Sequence, residues 1–327
     1  MQPTTKSVVF VPFFGKLPDY FNLWLHSCSY HENFSFIVFT DDDTEYSIPA
    51  NVSVVRLSFS DFREKIQKKF DFRIFLDNPY KLCDFKPAYG YLFSDFAKGY
   101  DYWGHCDLDL IIGNLEKYLP KESFDKVSYE GHFCLYRNKK EVNEAFMENS
   151  GSKISYRDIF SNNVNFAFDE IGDYGINEIF TRKGFKIYDF RAAVADIDCR
   201  KKRIFCRKAS SSRKMNAQKT LAANEEVIVI FDNGKVFSYS KNTRKKDKEY
   251  AYVHFQKRKM INQVSNPNKF LITHNRLTDY PDNEKDLLSY FPKSNLNFRW
   301  FSIKVKTTPN RIKRELAIMK LRHKEKQ

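Results

Sequence analysis

Within its first forty residues the chain carries two strand-length apolar runs separated by one amphipathic, helix-length segment, and that order restricts the fold more than any other feature. Ser7-Val8-Val9-Phe10-Val11-Pro12-Phe13-Phe14 reads as a buried strand closed by Gly15 and Pro18. From Asp19 to about Ser29, Phe21, Trp24, Leu25 and Cys28 recur at three-to-four spacing, the period of one helix face. Phe34-Ser35-Phe36-Ile37-Val38-Phe39-Thr40 is the next strand and ends in Asp41-Asp42-Asp43. This is a β-α-β unit, and open parallel sheets bind ligands in the crevice at their strand ends. A third strand, Val52 to Leu57, and a helix from Ser60 to Phe70 continue the alternation. The expected fold is therefore α/β.

The chemistry concentrates in the run from Tyr100 to Leu115, where Trp103-Gly104-His105-Cys106-Asp107-Leu108-Asp109 leads into Leu110-Ile111-Ile112. In an extended chain residues i and i+2 point the same way. Asp107 and Asp109 can then present their oxygens to one hard cation while Leu108 and Leu110 pack inward. Mg²⁺ and Mn²⁺ favour such oxygen ligands and share them with substrate phosphates. Acids in so apolar a setting are costly unless paired or metal-bound.

Other segments frame this motif. Asp84 to Ala97 reads as a helix with Pro87 near its start, which puts Lys86 either beside a bound diphosphate or on the surface, capped by Asp84. Gly131 to Asn138 reads as a strand, followed by a helix from Lys140 to Asn149. Asp169 and Glu170 follow the apolar run Phe166-Ala167-Phe168, where they can serve as N-terminal acids of a helix over Ile176 to Lys183. Glu226 to Ser240 is a β-hairpin with Asn233-Gly234 at its turn. His254 then sits on an apolar strand next to Lys257, Arg258 and Lys259; imidazole suits Mn²⁺, and a nearby lysine can neutralise phosphate.

Lys81 to Gly90, Tyr100 to Leu115, Phe168 to Glu170 and Tyr252 to Lys259 together resemble the GT-A glycosyltransferases with an Asp-x-Asp motif, in particular bacterial polysaccharide- or capsule-type transferases. The resemblance spans roughly residues 1–260. It implies a Rossmann-like nucleotide-diphospho-sugar transferase fold, with a mixed central sheet flanked by helices. It also implies Mn²⁺ or Mg²⁺ on Asp107, Asp109 and His254, and a nucleotide-diphosphate sugar, a UDP-sugar by expectation, held by Asp41, Asp84, Lys86, Asp107 and Lys257. Asp169 and Glu170 are the expected catalytic carboxylates. The glycine and Pro-Trp that follow the histidine in one retaining branch are missing here.

The net charge of +14 could serve nucleic acid, anionic lipid or polyanionic substrates. Much of the excess lies between Arg200 and Lys214, in Arg244-Lys245-Lys246 and in the C-terminal tail, and no nucleic-acid-binding pattern accompanies it. Nucleic acid is therefore not an expected partner. Six cysteines without C-x-x-C pairing sit mostly among apolar residues, as reduced thiols do. No segment resembles a signal peptide or a membrane span, so a cytoplasmic location is expected. Residues 1–265 are expected to form the transferase domain, with 198–224 as a basic loop or insertion and 266–327 as a basic C-terminal extension. In that extension Asn310 to Arg322 has a basic amphipathic pattern: Ile312, Leu316, Met319 and Ile318 form the stripe among Arg311, Lys313, Arg314, Lys320 and Arg322. Such a helix can lie on an anionic bilayer at the inner face of the plasma membrane, or pack on its own domain.

The leading expectation is a metal-dependent glycosyltransferase acting on a saccharide or lipid-linked saccharide acceptor in surface polysaccharide synthesis. A metal-dependent phosphodiesterase or nuclease would need a tighter cluster of acids. A non-catalytic carbohydrate-binding scaffold would not need Asp107, Asp109 and His254 intact.

Overall fold

The computed structural model of the chain describes residues 5–204, 225–256 and 258–323. Its strands are β1 (Ser7–Pro12), β2 (Phe34–Thr40), β3 (Val52–Arg56), β4 (Tyr102–Cys106), β5 (Leu110–Ile112), β6 (Lys126–Val127), β7 (Phe133–Arg137) and β8 (Ile187–Tyr188). They continue as β9 (Val194–Asp196), β10 (Val227–Asp232), β11 (Lys235–Ser240), β12 (Lys246–Tyr250), β13 (Tyr252–His254), β14 (Ile261–Gln263), β15 (Lys269–Ile272) and β16 (Arg276–Asp279).

The central sheet runs β3-β2-β1-β4-β7-β6-β8. Its first four strands are parallel, β7 is antiparallel to both neighbours, and β6 and β8 are parallel. The chain lays β2 and β3 to one side of β1, then returns to place β4 on the other. Side chains alternate across β1, so Val9 and Val11 enter one core and Val8 and Phe10 the other. A strand covered on both faces must be apolar throughout, which explains the unbroken run in the sequence. The helix Phe21–Cys28 packs Phe21, Trp24 and Cys28 on the first face. The helix Phe59–Gln67, capped by the Ser58 side chain accepting from the Asp61 N–H, packs Phe62 and Ile66 on the second.

The single helix expected over Asp84 to Ala97 is instead a broken series of short turns: Leu82–Phe85, Lys86–Ala88, Tyr89–Leu92 and Ser94–Ala97, with Pro79–Lys81 before them. Pro87 has no amide hydrogen to continue a ladder. At Gly90 the backbone lies against the Trp103 indole, where a Cβ would come within 2.2 Å of the ring. Helical regularity gives way to close packing on β4. The helix expected over Lys140 to Asn149 likewise shortens to Lys140–Asn143 and a 3-10 turn at Ala145–Met147.

A six-stranded sheet, β12-β11-β10-β15-β16-β14, stands beside the central one, and its β10–β11 turn has φ of 47° at Asn233 and 78° at Gly234. Both positive values suit an Asn-Gly hairpin turn. Phe270, Ile272 and Leu277 share one core with Val229 and Phe231, so the change in composition at Asn266 falls inside this sheet. A three-stranded sheet, β5-β13-β9, links the two larger ones. Of the basic stretch 198–224, residues 205–224 lie outside the described residues.

The C-terminal helix is Phe298–His323, twelve residues longer at its start than the amphipathic pattern at Asn310 indicated. Ile318, expected among the exposed stripe, is buried in the core on the second face of the central sheet, with Ala317 and Leu321 against it. Among the described residues no helix is long and apolar enough to cross a membrane. Cys28, Cys83, Cys106, Cys134 and Cys199 carry no disulfide.

Candidate functional site

The order of the parallel strands reverses between β1 and β4, and ligands of open α/β sheets bind outside the carboxyl ends of the strands at such a point. A cleft of about 450 Å³ lies there, lined by Pro12, Phe13 and Phe14 after β1, by Tyr80 and Lys86, and by Asp107 and Asp109 after β4. That volume is within the range of small-molecule sites.

The small sheet brings further groups beside Asp109, at the edge of this cleft. The Asp109 carbonyl accepts from the Phe255 N–H at 2.8 Å, which holds β13 beside the acidic motif. In register, His254 lies opposite Leu110 of β5 and Asp196 of β9. Its Nε2 is 3.4 Å from Asp109 Oδ1, and its Nδ1 is 2.9 Å from Asp196 Oδ1. Gln256 Nε2 donates to the same Asp196 oxygen at 2.7 Å, from a backbone with φ of 55°. His132 stacks on His254 with ring centroids 4.1 Å apart, and its Nδ1 is 2.9 Å from the Tyr252 hydroxyl. His132, Asp196 and His254 offer ligand atoms that all lie within 4.8 Å of one another.

Lys86 occupies the other side of the acidic motif. Its buried ammonium lies 2.7 Å from Asp107 Oδ1 and 3.3 Å from Asp169 Oδ2, and donates to the Gly131 carbonyl at 2.8 Å. It is therefore neither a surface lysine nor one capped by Asp84. Asp169 and Glu170 are not first-turn acids either, because that helix begins at Ile176 behind Gly175. They sit in a turn after Ala167, whose φ is 53°. Glu170 Oε1 accepts from the Gly131 N–H at 2.9 Å, and a Cβ on Gly131 would lie 2.4 Å from Asp169 Oδ2 and 2.6 Å from Glu170 Cγ. Only glycine lets both acids close on this strand start.

Burial and charge oppose each other around the acidic motif. Burial disfavours charge on Lys86, yet Asp107 and Asp169 outweigh it and hold the pKa well above that of an ordinary lysine. Burial also pushes the Asp107 carboxyl up, against the pull of Lys86. Asp169 is pushed up for the same reason, and Glu170 adds to the effect. For His254, burial lowers the pKa but Asp109 and Asp196 more than reverse it, so the imidazole is held charged between two carboxylates. Glu130 is pushed up to about 7 by burial and by Glu170 and Asp196.

Of the residues singled out in the sequence, Asp107, Asp109, His254, Lys86, Asp169 and Glu170 come together. Asp84 and Asp41 do not line the cleft. Asp84 is buried, and its carboxylate accepts from Lys81 Nζ at 2.7 Å and from the N–H groups of Phe166 and Phe168 at 2.9 and 3.0 Å. It anchors the turn that carries Asp169. Asp41 Oδ1 accepts from the Gly15 N–H at 2.6 Å and fixes the loop after β1. Lys257 lies outside the described residues. Asp196, His132 and Glu130 were not singled out; the one local signal for Asp196 is an acid closing a short apolar run, Val194-Ala195-Asp196, as Asp107 closes β4.

Carboxylate oxygens and imidazole nitrogens are a donor set suited to Mn²⁺ and similar divalent ions. Asp109 Oδ1 and His254 Nε2 are near enough to share one such ion. No curated protein matches the chain. Residues 9–281 match a family of unknown function, DUF6625. Because that match runs from β1 past the end of β16, the chain belongs to DUF6625.

Proposed function

We propose that this protein is a GT-A-type, divalent-cation-dependent glycosyltransferase. It would move a sugar from a nucleotide-diphosphate sugar, taken here as a UDP-sugar, to a saccharide or lipid-linked saccharide acceptor in surface polysaccharide synthesis. The observation that carries the reading is the meeting of Asp107 and Asp109 with His254, from a distant strand, at the switch point between β1 and β4. The β3-β2-β1 order supports it, since this is the arrangement of a mononucleotide-binding half, with β4 across the switch point.

Asp107, Asp109 and His254 would hold Mn²⁺ or Mg²⁺, which when bound stabilises charge on a departing diphosphate. Lys86 holds Asp107 and Asp169 in place and brings a fixed positive charge to the side of the cleft where phosphate oxygens would lie. On the β1 side, Phe13 and Tyr20 offer aromatic surface to a base. If the transfer inverts, Asp169 is the carboxyl we assign as base, since burial raises its affinity for a proton. Glu170 is engaged with the Gly131 N–H and orients the turn.

Release of nucleotide from a panel of sugar nucleotides with Mn²⁺ tests the reading. Hydrolysis of at least one donor, lost in Asp109→Ala, is expected; turnover of a phosphodiester and of no sugar nucleotide would replace it with the phosphodiesterase alternative.

A further inference from the structure

The helix Phe298–His323 has two apolar faces, and the protein body covers only one of them. Toward the body, Ile303, Arg314, Ala317 and Leu321 are half-buried and Ile318 is buried. On the other side Phe298, Phe301, Val305, Ile312, Leu316 and Met319 are 77, 69, 73, 54, 52 and 57% exposed. At one turn per 3.6 residues these six fall within an arc of about 60°. They are a stripe, not scattered surface residues. Seven of the twelve large apolar side chains exposed among the described residues lie between Leu296 and Met319, a concentration of the kind that marks interaction sites.

The charges around the stripe identify what covers it. Lys304, Arg311 and Arg322 border it on one side, and Lys306, Lys313 and Lys320 on the other. Glu315 is the one acid in the helix, against eight lysines and arginines. Two copies joined through this stripe would set their cationic rows against each other. An anionic surface instead receives the apolar stripe and both rows together. The helix lacks the apolar character needed to cross a membrane, so it would lie in the plane.

We infer that the helix Phe298–His323 docks the protein on an anionic lipid bilayer through its outward apolar stripe and the cations beside it. Docking is independent of the transferase reading. Its use in catalysis rests on that reading: Tyr80 lines the cleft and also a groove beside Asn310 and Lys313, so a lipid-linked acceptor would be presented close to the cleft.

Co-sedimentation of the full-length chain with phosphatidylglycerol–phosphatidylcholine vesicles, and with phosphatidylcholine vesicles alone, tests the inference. Binding is expected with the anionic vesicles only, weakening as salt is raised. The double variant Val305→Asp/Ile312→Asp should lower partitioning by about tenfold or more while keeping the wild-type circular dichroism spectrum. Equal binding by the variant, or no binding by the wild type at low salt, overturns it. So does self-association of the wild type, lost in the variant, without vesicle binding. Donor hydrolysis measured alongside separates the two ideas: its absence from a vesicle-binding protein counts against the transferase and not against docking.

Discussion

An imidazole has two nitrogens, and in this cleft each faces a different carboxylate: Nε2 of His254 looks toward Asp109 and Nδ1 toward Asp196. Histidines that bind metals usually give their other N–H to such a carboxylate, which fixes the ring and the tautomer, and removing it costs about 10- to 100-fold in metal affinity. Asp196→Asn is therefore expected to weaken Mn²⁺ binding by about that factor, and Asp109→Ala to abolish it, as measured by calorimetric titration of the purified protein. An unchanged affinity in Asp196→Asn would show that Asp196 does not serve His254 in this way. A loss as complete as that of Asp109→Ala, shared by His132→Ala, would make His132, Asp196 and His254 the ligands themselves. Asp107 and Asp109 are legible in the sequence because one short segment carries both. Asp196 is not, since it lies 58 residues from His254 and meets it only through the parallel pairing of β9 with β13.

At the scale of elements, the turn just before β7 joins Lys86 to the acids Asp169 and Glu170. Gly131 accepts from Lys86 through its carbonyl, donates to Glu170 through its N–H, and leaves room for Asp169 where a side chain would stand. In Gly131→Ala the new methyl must displace Asp169, Glu170 or the strand, and overpacking of this kind costs about 1–3 kcal/mol. The expected result is a folded protein with a lowered urea midpoint and donor turnover reduced by about 10²-fold, the scale of a misplaced catalytic group. Wild-type turnover in this variant would mean that the turn bearing the two acids has no part in the reaction. The strands and the Asn233-Gly234 hairpin can be read from periodicity and turn chemistry, because those signals are local. The broken helices from Pro79 to Ala97 cannot: what interrupts them is Pro87 together with the approach of Gly90 to Trp103, a contact set by the tertiary fold.

For the molecule as a whole, burial and its partners have moved carboxyl groups in both directions, with opposite effects on stability as pH changes. His31 is buried just before β2 and its Nδ1 lies 2.7 Å from Glu116 Oε2, in the helical turn Leu115–Tyr118 after β5, so this pair ties the central sheet to the small one. Burial pushes the Glu116 carboxyl up, but the hydrogen bond and charge of His31 more than reverse it, leaving the folded pKa below its ordinary value. Its contribution is then fully present above the unfolded pKa of about 4.3 and is lost as pH falls through the folded value. Glu130 acts in the opposite sense. Held at about 7 by burial, Glu170 and Asp196, it keeps its proton in the folded state over a range where the unfolded chain has lost it, so stability declines as pH rises from about 4.3 toward 7. Between them, these two carboxyls favour the metal-free fold at about pH 5. Glu116→Gln should flatten the acid limb of a plot of urea midpoint against pH, and Glu130→Gln should flatten the limb above pH 5, making that variant more stable than wild type at pH 8. If Glu130→Gln leaves the upper limb unchanged, the carboxyl is not held protonated in the fold, and the crowding of acids beside His254 is weaker than the geometry indicates.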